Sequence, residues 1–197
     1  MSIRTAVSLL AVVAALIAPA SASAATDTFH RFEVVATANY VVMKDCGDGT
    51  SVQQRVTVLG GHEEEQENGE TTLDSDFLTV FIRGFDCDGS FISDSGSGPA
   101  EFSWSPSLQT AAVTGTITTR QDRTVTADIN WEGTGPIEVT TNTTTFPGFT
   151  GHFVGQEREA VATGMVVVNG DTLVNGSTTN ARIETLEDTN ISHTSAG

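Results

Sequence analysis

Four aspartates beside two cysteines form the first pattern in this chain that suggests chemistry. They lie in two similar segments, Asp45-Cys46-Gly47-Asp48-Gly49 and Asp86-Cys87-Asp88-Gly89, which would come together if the cysteines were joined. Calcium takes six to eight oxygen ligands, mostly from carboxylate and carbonyl groups. However, no EF-hand spacing is present, and aspartate is an ordinary turn residue. The sequence therefore favours turn chemistry and keeps, as the alternative, a calcium site formed by Asp45, Asp48, Asp86 and Asp88.

A second carboxylate pair, Glu157 and Glu159, would share one face of an extended strand. Two carboxyl groups about 5–10 Å apart are the machinery of glycoside hydrolysis. Nothing else marks this pair as catalytic: the chain has no G-x-S-x-G motif, and its four histidines form no H-x-H or H-E-x-x-H pair. The sequence therefore predicts no catalytic residue, no metal and no other cofactor. It leaves a hydrolase as the alternative function.

Trp104, Phe149 and His152 are the candidate ligand-binding residues. Trp104 lies in a short serine-rich segment, where we expect its ring to be exposed and able to stack on a sugar. Phe149 and His152 belong to the glycine-punctuated aromatic segment 146–153. Such a segment either forms a binding rim or plugs the end of a β-sandwich.

Cys46 and Cys87 are the two cysteines of the chain. Each follows an apolar run and precedes turn residues that include Asp-Gly, the pattern of a β-hairpin end. Because an exported protein meets oxidising conditions, we predict that they form a disulfide. Closing a loop of about 40 residues would contribute about 4 kcal/mol in the chain-entropy model. Two unrelated free thiols are the alternative.

Residues 1–24 have the features of a secretory signal peptide. Arg4 precedes an apolar run from Ala6 to Ala18, and Ala22-Ser23-Ala24 resembles a cleavage site. The run is shorter than the roughly 20 residues of a membrane-spanning helix. We expect cleavage after Ala24, with cleavage after Ala22 as the nearest alternative. The mature chain, residues 25–197, is then a secreted, extracellular protein without a membrane span.

The negative net charge of the chain excludes nucleic acids as partners. Its 197 residues carry 9 basic and 25 acidic side chains, a formal net charge of −16. Nucleic-acid binding requires an excess of Lys and Arg to neutralise phosphates. A mature chain of this length suits a single domain.

Alternating apolar and polar residues predict that most of the chain is extended. The even positions from 32 to 42 are apolar, and so are the odd positions from 125 to 131. Successive side chains of a strand point to opposite faces, so each pattern buries one face and exposes the other. Strands are predicted at 32–42, 52–59, 77–85, 90–93, 100–104, 111–119, 124–131, 137–145, 159–168 and 178–186.

About ten short strands in one domain predict an all-β fold, an antiparallel β-sandwich. A closed antiparallel barrel is the alternative. Residues 60–76 contain five glutamates and almost no apolar residue before Leu73, so we expect an acidic, solvated loop. Residues 187–197 are polar and are expected to form a flexible tail.

Three segments carry a family resemblance: 85–88, 131–136 and 147–153. They are similar to segments of uncharacterised secreted β-rich proteins of high-GC Gram-positive bacteria. The resemblance implies export and a β fold, and it supplies no catalytic residues. We therefore expect a secreted, non-enzymatic extracellular or envelope-associated protein that binds a glycan or protein partner through loops at one end. The alternative is an extracellular hydrolase acting on polysaccharide or peptide.

Overall fold

The computed structural model describes residues 25–194, which form ten β-strands and no helix. Every strand pairing is antiparallel, so the all-β prediction is confirmed. The strands are β1 Ala25–Asp45, β2 Ser51–Glu67, β3 Glu70–Phe85, β4 Phe91–Pro99, β5 Glu101–Trp104, β6 Thr110–Thr118, β7 Thr124–Gly133, β8 Glu138–Phe146, β9 Phe149–Val168 and β10 Asp171–Thr194. Within residues 25–194 the structure contains no helix that could cross a membrane.

The sheet folds back on itself into two layers without closing. Its strand order is β4-β3-β2-β1-β10-β9-β7-β6-β5, and β8 pairs with β9 beside this path. The layers pack closely where β2 faces β6: a Cβ atom added to Gly60 would lie 2.6 Å from Cβ of Val113. The sandwich prediction is confirmed, and the closed barrel is not formed.

The core lies between the layers and consists of the alternating residues that the sequence pattern selects. On β1, Val34 and Ala36 are fully buried, and on β7, Val125 and Ile129 are fully buried. Burying a Val or Ile side chain contributes about 1.5–3 kcal/mol. Trp131 is also buried, and its Nε1 donates a hydrogen bond to the carbonyl oxygen of Thr37 at 3.0 Å. Below, the face of each layer that meets this core is called the inner face, and the opposite one the outer face.

A disulfide joins the turn after β1 to the turn after β3. The Cα atoms of Cys46 and Cys87 lie 5.4 Å apart, and the bond spans 41 positions of the sequence. Beside it, Lys44 Nζ donates to Asp86 Oδ1 at 2.7 Å. The predicted disulfide is therefore confirmed, at the hairpin ends where the turn residues placed it.

The acidic segment 60–76 is not a loop, so this expectation is wrong. β2 continues to Glu67 and β3 begins at Glu70, with only a tight turn between them. Residues 62–67 of β2 also pair along β1, and residues 70–76 of β3 pair along β2. Arg31 of β1 offsets the acidic charge, because its guanidinium forms ion pairs with Glu63 and Glu65.

The polar C-terminal segment is a strand as well. Residues 187–194 complete β10 and pair with β1, and residues 187–192 pair with β9 as well. His30 of β1 and Glu187 of β10 are joined by a contact of 3.1 Å between Nε2 and Oε1. The flexible tail is therefore wrong for residues 187–194. The predicted signal peptide, residues 1–24, and residues 195–197 lie outside the described residues.

These paired polar segments form a part of the sheet that the second layer does not bury. We call it the sheet extension; it comprises the segments 26–33, 62–76, 138–157 and 184–192. None of its side chains is buried. Six strand segments, from β3, β2, β1, β10, β9 and β8, lie side by side in it.

Candidate functional site

The structure does not bring Trp104, Phe149 and His152 together. Trp104 is half-buried, and its ring stacks on the imidazole of His62 with centroids 4.9 Å apart. It is thus not the freely exposed ring that the sequence predicts. Phe149 and His152 point to opposite faces of β9, because they are three positions apart on one strand. A single binding rim built from these three residues is therefore not formed.

The four aspartates near the disulfide accept hydrogen bonds from the backbone of their own turns. Asp45 and Asp48 accept hydrogen bonds from the backbone N–H groups of Gly47 and Thr50, at 2.8 and 2.9 Å. Asp88 accepts one from the N–H of Ser90 at 2.8 Å. No group of three or more His, Cys, Asp or Glu side chains in residues 25–194 is arranged to hold a metal ion. These contacts are those of turn chemistry, the interpretation that the sequence favours for the four aspartates.

Hydrogen bonds stabilise the charged form of these turn carboxylates. The Thr50 hydroxyl and N–H lower the pKa of Asp48, and Ser90 does the same for the pKa of Asp88. The Lys44 ammonium, followed by the N–H of Cys87, lowers the pKa of Asp86. These groups stay ionised through the neutral range and keep the two hairpin ends in their turn conformation.

The outer face beside the disulfide carries a surface that the sequence interpretation missed. Four large apolar side chains are 53–64% exposed there, although few large apolar side chains of residues 25–194 are exposed. Two arginines lie among them. We call this surface the arginine–aromatic patch; it consists of Val41, Met43, Arg55, Arg83, Phe85 and Phe91.

Strand register brings these residues together. Arg55 is the direct partner of Val41 on one side and of Arg83 on the other, and directly opposite side chains share a face. Phe85 pairs with Phe91 across the β3–β4 hairpin, and their rings meet edge to face with centroids 5.6 Å apart. The two arginines and the two phenylalanines of the patch line a depression of about 530 Å³.

The two arginines have no carboxylate partner. Among the described residues neither Arg55 nor Arg83 forms an ion pair or a side-chain hydrogen bond, whereas Arg31, Arg123 and Arg182 all pair with carboxylates. Like charges directly opposite each other across a sheet destabilise it. A guanidinium also presents five donors in a planar fork that matches a carboxylate. The two opposed arginines therefore lower the stability of the free protein, and they are suited to bind an anionic group of another molecule.

A second candidate site lies on the outer face of the sheet extension. A groove of about 460 Å³ is lined by glutamates above apolar side chains that include Val35, Phe153 and Leu186. We call it the acidic groove; its charged residues are Glu33, Glu138, Glu157, Arg182 and Glu184. Register places three of the glutamates in one row, with Glu138 opposite Glu157 and Glu157 opposite Glu184.

The acidic groove contains one carboxyl group with altered titration. Partial burial raises the pKa of Glu184, and the neighbouring Glu157 carboxylate raises it further, while Arg182 opposes the shift. Arg182 pairs with both glutamates, at 3.8 Å from Nη1 to Glu157 Oε1 and more closely with Glu184. Glu159, the other half of the carboxylate pair noted in the sequence, lies outside this groove. The groove pairs Glu157 with Glu184 instead.

A histidine–aspartate contact closes the sandwich at the edge of the extension. His62 Nδ1 lies 2.9 Å from Asp76 Oδ1, and Asp76 Oδ2 accepts the N–H of Phe102 at 3.3 Å. The Trp104 ring covers the same imidazole. These contacts tie β5 to β2 and β3, which accounts for His62 as a packing residue.

The arginine–aromatic patch and the acidic groove become visible only when the register of the paired strands is known. Arg55 and Arg83 each occupy the polar position of an alternating run, which is ordinary for an arginine. The informative signal is their direct opposition, and it depends on how β2 and β3 align.

Comparison of the chain with known family models, with curated proteins and with solved structures finds no match in any of the three.

Proposed function

We propose that the chain is a secreted, non-enzymatic binding module that docks a protein partner on the arginine–aromatic patch. The observation that carries the proposal is the directly opposed Arg55 and Arg83, unpaired among the described residues and flanked by exposed Phe85 and Phe91. Contiguous apolar surface of this kind marks interaction sites in soluble proteins.

The composition of the patch matches the centre of a protein interface. Aromatic residues, Met and Arg are enriched in interface cores, and Trp, Tyr and Arg dominate binding hot spots. The turn aspartates Asp45, Asp48 and Asp88 lie beside the patch and supply a charged rim. The partner would therefore present an apolar surface with a carboxylate at its centre, where the two guanidinium groups bind it.

Export supports an extracellular role for this module. The signal-peptide features of residues 1–24 and the Cys46–Cys87 disulfide both suit the oxidising environment outside the cytoplasm. The net charge of −16 keeps such a chain soluble and repels other anionic surfaces. Because surface charges more than about 8–10 Å apart are largely screened at physiological salt, the arginine pair still attracts a carboxylate locally.

The test uses short peptides with known chemistry. The mature protein is titrated with peptides that combine Phe or Leu with Asp or Glu, and with matched peptides in which Asn or Gln replaces the acid. We expect the acidic peptides to shift the NMR signals of the Arg55 and Arg83 side chains. Arg55→Gln and Arg83→Gln should each weaken binding about 10- to 100-fold, the effect of losing a charged hydrogen bond.

Arg120→Gln is the matched control, because Arg120 is exposed and its side chain forms no hydrogen bond or ion pair among the described residues. It should leave the affinity unchanged. Equal binding of the amide peptides, or equal losses in all three variants, would contradict the proposal. A glycan that binds the patch in the same assay would retain the site and change the partner class.

Hydrolysis in the acidic groove is the second candidate function. It is favoured by the raised pKa of Glu184 beside a second carboxyl group, that of Glu157, since glycoside hydrolysis requires two carboxyl groups with different roles. Reporter glycosides and peptides test it: Glu184→Gln and Glu157→Gln should abolish turnover, while the exposed control Glu101→Gln should not. No turnover of any substrate by the wild type would remove this candidate.

A further inference from the structure

Strand β8 is an edge strand without the usual protection. It pairs only with β9 among the described strands, and all nine of its residues are exposed. Natural proteins usually protect such an edge with lysine, proline or a bulge. Between Val139 and Phe146 there is no charged residue and no proline, and the register with β9 is uninterrupted. The edge is thus free to accept another strand.

The opposite edge of the sheet extension is protected. It is formed by residues 70–76 of β3, since β4 pairs with β3 only from Phe77 onward. Glu70, Asp74 and Asp76 give this edge negative charge. Of the two edges of the sheet extension, that of β8 is therefore the one suited to accept a strand, and pairing through this single edge limits an assembly to two copies.

The central five residues of β8 form a sequence that is symmetric about Asn142. Read in either direction, residues 140–144 are Thr-Thr-Asn-Thr-Thr. If two copies pair antiparallel about Asn142, Thr140 faces Thr144 and Thr141 faces Thr143. Cross-strand threonine pairs stabilise a sheet, and the protein already uses one: Thr116 and Thr126 are opposite each other and their hydroxyls lie 2.9 Å apart.

The main chain fits the same register. Phe146 and Phe149 close a two-residue turn, so the N–H and C=O groups of Phe146 point toward β9. Backbone direction alternates along the strand, so the outward groups belong to Val139, Thr141, Thr143 and Thr145. Pairing about Asn142 matches these residues with one another and would form about eight intermolecular hydrogen bonds.

We propose that β8 binds β8 of a second copy of this chain, with the two-fold axis at Asn142. The contact is isologous and joins the two sheet extensions into one continuous sheet. A second copy fits better than an unrelated peptide because the edge is complementary to itself in side chains and in hydrogen bonding. The full chain has a net charge of −16, and the mature chain, which lacks Arg4, is more negative still. The uncharged strip is therefore where two copies can meet, and added salt should strengthen the dimer.

Cysteine cross-linking tests the register. Asn142 would face its own copy at a Cα separation of about 4.5 Å, the value for a pair that is not hydrogen-bonded and within the range for a disulfide. Mild oxidation of Asn142→Cys should therefore give covalent dimers. Thr140→Cys and Thr144→Cys should each cross-link poorly alone and efficiently when mixed. Equal cross-linking of all three variants alone, or none, would overturn the proposal.

Sedimentation of the mature protein without added cysteines gives an independent test. We expect the mass to rise from one chain to two with concentration. Thr141→Pro removes an outward N–H and should abolish the dimer. Thr71→Pro is the matched control, because its N–H also points outward, on the acidic edge, and it should leave dimerisation unchanged. Circular dichroism confirms that both variants remain folded; a wild type that stays monomeric at all concentrations would rule out the assembly.

Discussion

Tyr40 is the single tyrosine of the chain, and its hydroxyl group is buried without a hydrogen-bond partner among the described residues. Burial raises its pKa to about 12. Since the unfolded value is about 10, the neutral ring contributes stability that is complete below about pH 10. That stability is lost as the pH rises through 10 toward 12. The unpaired hydroxyl of Tyr40 therefore lowers the free energy of unfolding at neutral pH, and its raised pKa lowers that free energy further above about pH 10.

Replacing this tyrosine should stabilise the protein. Tyr40→Phe removes an unsatisfied hydroxyl, so we expect the free energy of unfolding at neutral pH to rise by about 1 kcal/mol. The difference from the wild type should widen above about pH 10. Thermal melts at both pH values measure it, and the tyrosinate absorbance of the wild type reports Tyr40 alone. Titration of the folded protein at the ordinary pKa would contradict this account.

At the scale of elements, Arg31 stabilises the acidic ends of β1 and β2. Its guanidinium lies 3.3 Å from Glu33 and forms further pairs with Glu63 and Glu65. Without it, three carboxylates would face one another on adjacent strands. Because all four side chains are partly exposed, solvent screens the interaction, and a contribution of about 1 kcal/mol is appropriate.

Loss of Arg31 should therefore act locally. In Arg31→Gln we expect amide hydrogen exchange of residues 62–67 to become about fivefold faster, since about 1 kcal/mol corresponds to that factor. Exchange in the core strands should be nearly unchanged. Exchange measured by mass spectrometry tests this, with Arg120→Gln as the control that removes an unpaired charge. Equal acceleration throughout the sandwich would show that the pairs do not hold the extension separately.

At the scale of the whole molecule, the Cys46–Cys87 disulfide connects hairpins that are distant in sequence. In the chain-entropy model, a loop spanning 41 positions corresponds to about 4 kcal/mol. We expect the double variant Cys46→Ala, Cys87→Ala to lose about that much stability, or about 10 °C in Tm. A melt of the wild type with reductant should fall to the same value. Equal melting temperatures for all samples would mean that the bond does not constrain the unfolded chain.

The same bond affects the arginine–aromatic patch, which lies on the strands that it joins. Phe85 ends β3 directly before the turn of Cys87, and Met43 lies near the end of β1. Loosening these ends should weaken peptide binding at the patch more than it affects dimerisation through β8. Measuring both in the double variant separates the two surfaces.

The local alternation of apolar and polar residues was sufficient to predict the strands that have one buried face. The apolar positions of 32–42 and 125–131 predicted which side chains enter the core, because burial selects every second residue. The two Asp-Gly turns likewise predicted where the cysteines meet. In contrast, the same pattern predicts irregular structure for 60–76 and 187–194, because neither face of the sheet extension is buried and alternation is therefore absent.

The two surfaces depended on the tertiary structure for a physical reason. Arg55 and Arg83 are ordinary polar-face residues until strand register places one opposite the other. The symmetry of residues 140–144 is visible in the sequence, yet it has meaning only once β8 is known to lie at a free edge. The sequence by itself determined extended structure, turns and the disulfide, which depend on neighbouring residues. Register and edge position depend on which strands pair, and only the folded sheet decided them.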